Sequence, residues 1–206
     1  MESNKEKIFI FDFDGTLIDS IDGIAEIITR YIPEFTKDKL VREFSNYYLS
    51  HNWFSYLRIL FYEFKLALHY KKVIKEIDQS TDHFPVIANM PEIVKALKEK
   101  EIRLFIISSN FTENIEDYIK SQNMDCFDKI YGNCSLTNKT SLIKEIKNEF
   151  SESDIYYIGD EIRDIIAAKK AGVKSVAVTW GMFSAKELSV LKPDYILSNP
   201  KELLGI

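Results

Sequence analysis

Residues 8–20 read IFIFDFDGTLIDS: four apolar residues, two aspartates two apart, a glycine, and a short polar exit. The continuous apolar run Ile8–Phe11 has the pattern of a strand covered on both faces, and Asp12 and Gly15 stop it. A period of two puts the Asp12 and Asp14 carboxylates on one side of an extended chain, about 6–7 Å apart along it. Gly15 lets the backbone turn sharply and bring amide groups close to an anion. Without further residues, an Asp-rich turn accounts for the same letters.

Similar apolar runs recur at Ile102–Ile107, Ile155–Ile158 and Ser175–Val178, with shorter ones at Lys129–Tyr131 and Tyr195–Leu197. Between them lie helical patterns at Pro91–Lys100, Glu113–Ser121, Lys139–Phe150 and Ile162–Ala171, the last ended by Gly172. Strand and helix alternate, which predicts right-handed crossovers and an α/β fold with a doubly wound parallel sheet. Ligands of such sheets bind beyond the carboxyl ends of the strands. Residues 20–84 break the rhythm. Trp53, Leu57, Leu60, Phe64 and Leu68 follow a helical period and no strand pattern appears, so a small α-helical domain is expected there. The expected organisation is one main domain over 1–19 and 85–206, with 20–84 inserted in it.

Composition bounds the function. Of the 206 residues, 46% are hydrophobic and 29% charged, with seven Gly and five Pro, the balance of a folded globular chain. A net charge of −5 gives no long-range attraction to a nucleic acid backbone. Cys126 and Cys134 fit neither a zinc spacing nor a disulfide framework. No apolar run approaches the ~18 residues that span a bilayer, and MESNKEK carries no signal-peptide core. The expected setting is the cytoplasm, with neither nucleic acid nor membrane as partner; the oligomeric state is left open.

The candidate site residues sit where the predicted strands end. Ser108, Ser109 and Asn110 follow the second strand, with hydroxyl and amide donors suited to a phosphoryl oxygen. Lys139 opens a helix, where the dipole disfavours a cation. Asp160 and Asp164 stand four apart at another helix start, where like charges repel, though an acidic first turn also complements the dipole. Converging at one sheet edge, Asp12, Asp14, Asp160 and Asp164 with only Lys139 opposing them need a cation. All-oxygen ligands in small number point to Mg²⁺.

The four elements DFDGTLIDS at 12–20, FIISSN at 105–110, Lys139, and IGDEIRD at 158–164, in that order, resemble the haloacid dehalogenase superfamily. The stretches MPEIVKALKEKEIRLFIISSN, GDEIRDIIAAKKAGV and KPDYILSNPKELL are similar to its phosphoglycolate-phosphatase-like branch, and together they cover most of the chain. The resemblance implies a Rossmann-like core and a Mg²⁺-dependent phosphatase acting on a small phosphorylated metabolite. It implies Asp12 as nucleophile and metal ligand, and Asp14 as general acid and base that also gives a backbone carbonyl to the metal. Asp160 is a further ligand in that reading. Ser108, Lys139, the Ser109 amide and the Gly15 turn hold phosphate, and Asp164 supports the site through water or Lys139. Dehalogenation fits poorly, because relatives that attack carbon do not normally carry an aspartate at the position of Asp14.

The insertion at 20–84 matches the family's helical cap. Ten aromatic residues lie between Phe44 and Tyr70, and aromatics at helical spacing are expected in that domain's own core. Two other readings stay open at this level. A phosphomutase of the same family would deliver the phosphoryl group to a second hydroxyl, and a regulatory protein would use the cap aromatics as a partner surface.

Overall fold

The computed structural model describes residues 5–50, 53–134 and 138–206, the side chains of residue 50 and residues 53–63 excepted. Six parallel strands, β1 (Lys7–Phe11), β2 (Arg103–Ile107), β3 (Lys129–Tyr131), β4 (Asp154–Gly159), β5 (Lys174–Val178) and β6 (Tyr195–Leu197), form one sheet in the order β3-β2-β1-β4-β5-β6. β1 is central because all four residues Ile8–Phe11 are apolar and need cover on both faces. Each has no exposed surface. Ile8 and Ile10 join Phe105, Ile107, Ile155 and Tyr157 on one face, while Phe9 and Phe11 meet Tyr156 and Phe127 on the other.

Two compact units divide the chain: Met1–Asp19 with Pro85–Ile206, and Ser20–Phe84. The second unit is helical, with α1 (Ile21–Tyr31), α2 (Lys37–Ser50) and α3 (Trp53–Ser80). Within it, Ala25, Ile27, Ile32, Phe35 and Val73 are buried, and the Tyr31 hydroxyl donates to Glu76 at 2.7 Å. The expected helical insertion is thus present, but two of its described aromatics stand outside its core. Phe44, Tyr47 and Tyr48 are half-buried, and Phe64 and Tyr70 are 63% and 54% exposed. Leu68 is exposed as well. The 28 residues of α3 run about 42 Å, far beyond the 11 residues of α1, so no helix of α1's length covers it end to end. The side chains of Trp53, Leu57 and Leu60, and of Phe54, Tyr56, Phe61 and Tyr62, lie outside the described residues.

The sheet unit continues with α4 (Met90–Glu99), α5 (Thr112–Ser121), α6 (Lys139–Glu149), α7 (Ile162–Ala171) and the short α8 (Ala185–Ser189). Ile143 and Ile146 of α6 and Ala167, Ala168 and Ala171 of α7 pack on the Ile8/Ile10 face. The small alanines allow α7 to approach the sheet closely. Gly172 ends α7 in the left-handed conformation, φ 72°, with the Val173 amide donating back to the Ala168 carbonyl at 3.1 Å. β1 lies where the strand order reverses, between β2 on one side and β4 on the other, and a crevice is expected beyond its carboxyl end. Among the described residues, no helix is long and apolar enough to cross a membrane.

Candidate active site

β1 stops at Phe11, one residue before the first aspartate, so a turn rather than strand alternation presents the two carboxylates. The Asp12 amide still pairs with the Ile158 carbonyl at 2.8 Å, which holds Asp12 in register with β4. Next the chain folds over: the Leu17 and Ile18 amides both donate to the Phe13 carbonyl, and Gly15 takes φ 71°. Phe13 turns inward and packs edge-on against Tyr118, ring centroids 5.6 Å apart. That burial anchors the turn between its two aspartates.

Asp12, Asp160 and Asp164 come together. One carboxylate oxygen from each lies within 4.8 Å of the others, and all three residues are buried. Lys139, the first residue of α6, reaches in with Nζ 2.7 Å from Asp164 Oδ1 and 3.2 Å from Asp12 Oδ2. The burial of the lysine works against its charge, but Asp12 and then Asp164 outweigh this and hold its pKa well above the usual value. For Asp12 the balance runs the other way: burial lifts its carboxyl to about 7, with Lys139 opposing and Asp164, Glu161 and Asp14 adding to the rise. Burial also raises Asp160 well above the ordinary range, reinforced by Glu161, Asp164 and Asp12. Three buried carboxylates against one ammonium leave an excess of negative charge, and protonation or a hard cation relieves it. An all-oxygen donor set of this kind fits a divalent metal.

Asp160 is held at both oxygens. The Thr16 hydroxyl donates to Oδ1 at 3.0 Å and the Met182 amide to Oδ2 at 2.7 Å. The indole of Trp180 donates to the Thr16 carbonyl at 3.1 Å, tying the loop after β5 to the turn after β1. Gly181 sits between them. A Cβ there would stand 2.3 Å from Asp160 Oδ2 and 2.4 Å from the Gly15 carbonyl oxygen. Gly159 has the same constraint, since its Cβ would fall 2.3 Å from Asp164 Oδ2.

Asp164 has two attachments. Oδ1 accepts from Lys139 and Oδ2 accepts from the Glu161 amide at 3.0 Å, half of a reciprocal capping box that starts α7. The same carboxylate therefore caps a helix and fixes the lysine. Glu161 pairs with Arg163, which outweighs burial and keeps that carboxyl below its usual value. Its retained charge adds to the pressure on Asp12 and Asp160.

Asp14 is not among the three grouped carboxylates, though its charge bears on Asp12, and the Asn110 side-chain amide donates to its Oδ2 at 3.4 Å. Ser108 is buried at the end of β2, and its Oγ accepts from the Asn110 amide at 3.0 Å. Ser109 is exposed. Asn110 therefore reaches toward the second aspartate, where the sequence suggested a phosphate donor. Sequence reasoning missed Thr16, Asn110 in this role, Glu161, Trp180, Gly181 and Met182. Thr16 and Glu161 each adjoin a motif aspartate or its glycine, and that adjacency was a usable signal. The loop at 179–183 carries no motif of its own.

The pattern of the haloacid dehalogenase-like hydrolases matches residues 9–178. The chain is 27% identical to the phosphoglycolate phosphatase of Synechococcus elongatus, over 95% of this chain and 94% of that protein. It is 24% identical to the pyrophosphatase PpaX of Listeria innocua, over 99% and 97%. A solved haloacid dehalogenase-like hydrolase from Streptococcus pneumoniae superposes with a TM-score of 0.65, covering 97% of each chain at 20% identity, which speaks for the fold. With Asp12, Ser108, Lys139, Asp160 and Asp164 all inside the matched span, the chain belongs to the haloacid dehalogenase-like hydrolase family, among its phosphatases.

Proposed function

We propose that this protein hydrolyses a small phosphomonoester through an aspartyl-phosphate on Asp12, with Mg²⁺ as cofactor. The observation that carries the reading is the Lys139 ammonium, 3.2 Å from Asp12 and 2.7 Å from Asp164, at the edge of a buried three-carboxylate cluster. A buried anion, a fixed cation and a set of oxygen ligands are what transfer of a phosphoryl group to a carboxylate requires. Asp12, Asp160 and the backbone carbonyl of Asp14 would hold the metal, with Asp164 supporting them through Lys139. Bound Mg²⁺ supplies Lewis-acid neutralisation of the phosphoryl oxygens.

An Asp12 carboxylate oxygen attacks phosphorus in line, and the bond from phosphorus to the leaving ester oxygen breaks. Lys139, the Ser108 hydroxyl and the Ser109 amide hold the remaining phosphoryl oxygens, and the Gly15 turn admits them to the backbone. Asp14 gives its proton to the departing alkoxide, then removes one from a water molecule that attacks the phosphorus of the acyl phosphate. Asp12 is regenerated and inorganic phosphate leaves. Asn110, 3.4 Å from Asp14, steadies the acid/base group.

Residues 20–84 act as a cap that selects the ester, since every group in these steps belongs to the other unit. A small phosphorylated metabolite in the cytoplasm suits the kinship with a phosphoglycolate phosphatase and a pyrophosphatase. The test is a panel of phosphorylated metabolites, including phosphoglycolate and pyrophosphate, assayed with Mg²⁺. Phosphate release that stops in excess chelator supports the reading, and turnover that survives chelation and dialysis defeats it.

A further inference from the structure

Tyr157 is a hydroxyl in a place built for a phenylalanine. It stands on β4 inside the apolar cluster of Ile8, Ile10, Phe105, Ile107 and Ile143, and 1% of its surface is exposed. A phenol desolvated there costs free energy unless its oxygen is bonded. Two groups meet it. The hydroxyl lies 3.5 Å from the Ile107 carbonyl, the residue before Ser108, and the Lys139 Nζ sits 5.5 Å from the ring centroid. The ammonium has three protons, and Asp12 and Asp164 account for two of them.

We infer that Tyr157 is a positioning residue for the phosphate-binding lysine: its oxygen takes the third Lys139 proton while its own hydroxyl leans on the Ile107 carbonyl. The inference rests on the phosphatase reading of the site. A neutral acceptor is suited to this task. A third carboxylate would hold the lysine as firmly, but it would cancel the positive charge that an incoming phosphoryl group needs. The phenol restrains the flexible lysine stem and leaves that charge available. Through Ile107 it also links the lysine to the end of β2, so the two phosphate-holding elements share a buried support. Burial raises the Tyr157 hydroxyl well above its usual pKa, so it stays protonated and keeps its donor.

The neighbouring residue supplies a matched control. Tyr156 points to the opposite face of β4, and its hydroxyl accepts from Lys174 at 3.0 Å, away from the carboxylate cluster. The experiment compares Tyr157→Phe and Tyr156→Phe, reading Ki for inorganic phosphate, KM and kcat for an aryl phosphate, and thermal melting. Tyr157→Phe is expected to raise Ki and KM about tenfold while the Tyr156→Phe values stay within twofold of wild type. In a Lys139→Ala background, Tyr157→Phe should add nothing to Ki. An unchanged Ki in Tyr157→Phe, or the same rise with Lys139 absent, overturns the inference.

If Tyr157→Phe does not fold, lysine ¹⁵N NMR of the wild-type protein decides. A protected Lys139 ammonium with cross-relaxation to the Tyr157 ring is expected, and its absence overturns the inference. Wild-type protein that neither hydrolyses the aryl phosphate nor binds phosphate would defeat the phosphatase reading, while the NMR contact still reports on Tyr157 separately.

Discussion

Asp12 carries a conflict between stability and chemistry that can be measured. Its carboxyl is lifted from 3.8 to about 7, with burial as the first cause and Lys139 opposing. Between those values the folded protein holds a proton that the unfolded chain has lost. Stability of the metal-free protein therefore falls as pH rises through that window and stays lowered above it. Asp12→Asn removes the buried charge. It is expected to stabilise the metal-free protein by about 1–3 kcal/mol at pH 8 and by little near pH 4, while abolishing aryl phosphate hydrolysis. Melting curves at both pH values check this; a variant less stable than wild type at pH 8 would contradict the assignment. The same protonation makes metal binding release protons. Calorimetric titration of Mg²⁺ at pH 7 in buffers of different ionisation enthalpy should show proton release in wild type, and affinity should rise with pH through 7. Buffer-independent heats would speak against a protonated Asp12 in the metal-free site.

At the scale of elements, the loop after β5 is the part of the site least visible as a motif and most exposed to steric test. Trp180, Gly181 and Met182 reach the Thr16 carbonyl, the Gly15 carbonyl and Asp160 in three successive residues. A methyl group at 181 would press both on Asp160 Oδ2 and on backbone, and the loop must move away. Gly181→Ala is expected to lose the Met182 bond to Asp160 and to weaken Mg²⁺ binding about tenfold or more, read by calorimetry, with circular dichroism unchanged. Gly205→Ala is the control, because its Cβ would meet nothing within 4 Å. Equal metal affinity in Gly181→Ala and wild type would remove the loop from the site. Sequence patterns found the strands on either side of this loop because β5 and β6 present apolar runs. The loop's own role depends on where it folds back in space, and period and composition do not encode that.

For the whole molecule, the insertion point offers the test of divided labour. The Asp19 amide donates to the Pro85 carbonyl at 2.8 Å, and Ile18 bridges to Val86, so the chain leaves and re-enters the sheet unit side by side. A short Gly/Ser linker spans that gap. Replacing 20–84 with one is expected to leave slow, Mg²⁺-dependent hydrolysis of small phosphates and to erase the ranking among larger esters, measured as kcat/KM across the panel. A capless protein that keeps the wild-type ranking would put specificity in the sheet unit. Phe64 and Tyr70 of α3 belong to the same question, since both are largely exposed.

Local order was written in the sequence. Four consecutive apolar residues at 8–11 could only be satisfied by cover on both faces, and the alternation of strand and helix patterns led to a parallel sheet with β1 inside it. Asp12, Asp160, Asp164 and Lys139 were legible for the same reason, because residues that follow parallel strands, or open the helices between them, gather at one edge. Tertiary structure alone decided what depends on pairs distant in the chain. It left Asp14 outside the three grouped carboxylates and set the Asn110 amide against Asp14, since β1 ends one residue before Asp12 and a turn replaces the strand period. It gave Asp164 a capping role beside its ion pair, and it set Tyr157 against Lys139 and Gly181 against Asp160. Such contacts follow from the packing of separate elements, and periodicity along one element carries no record of the side chains it will meet.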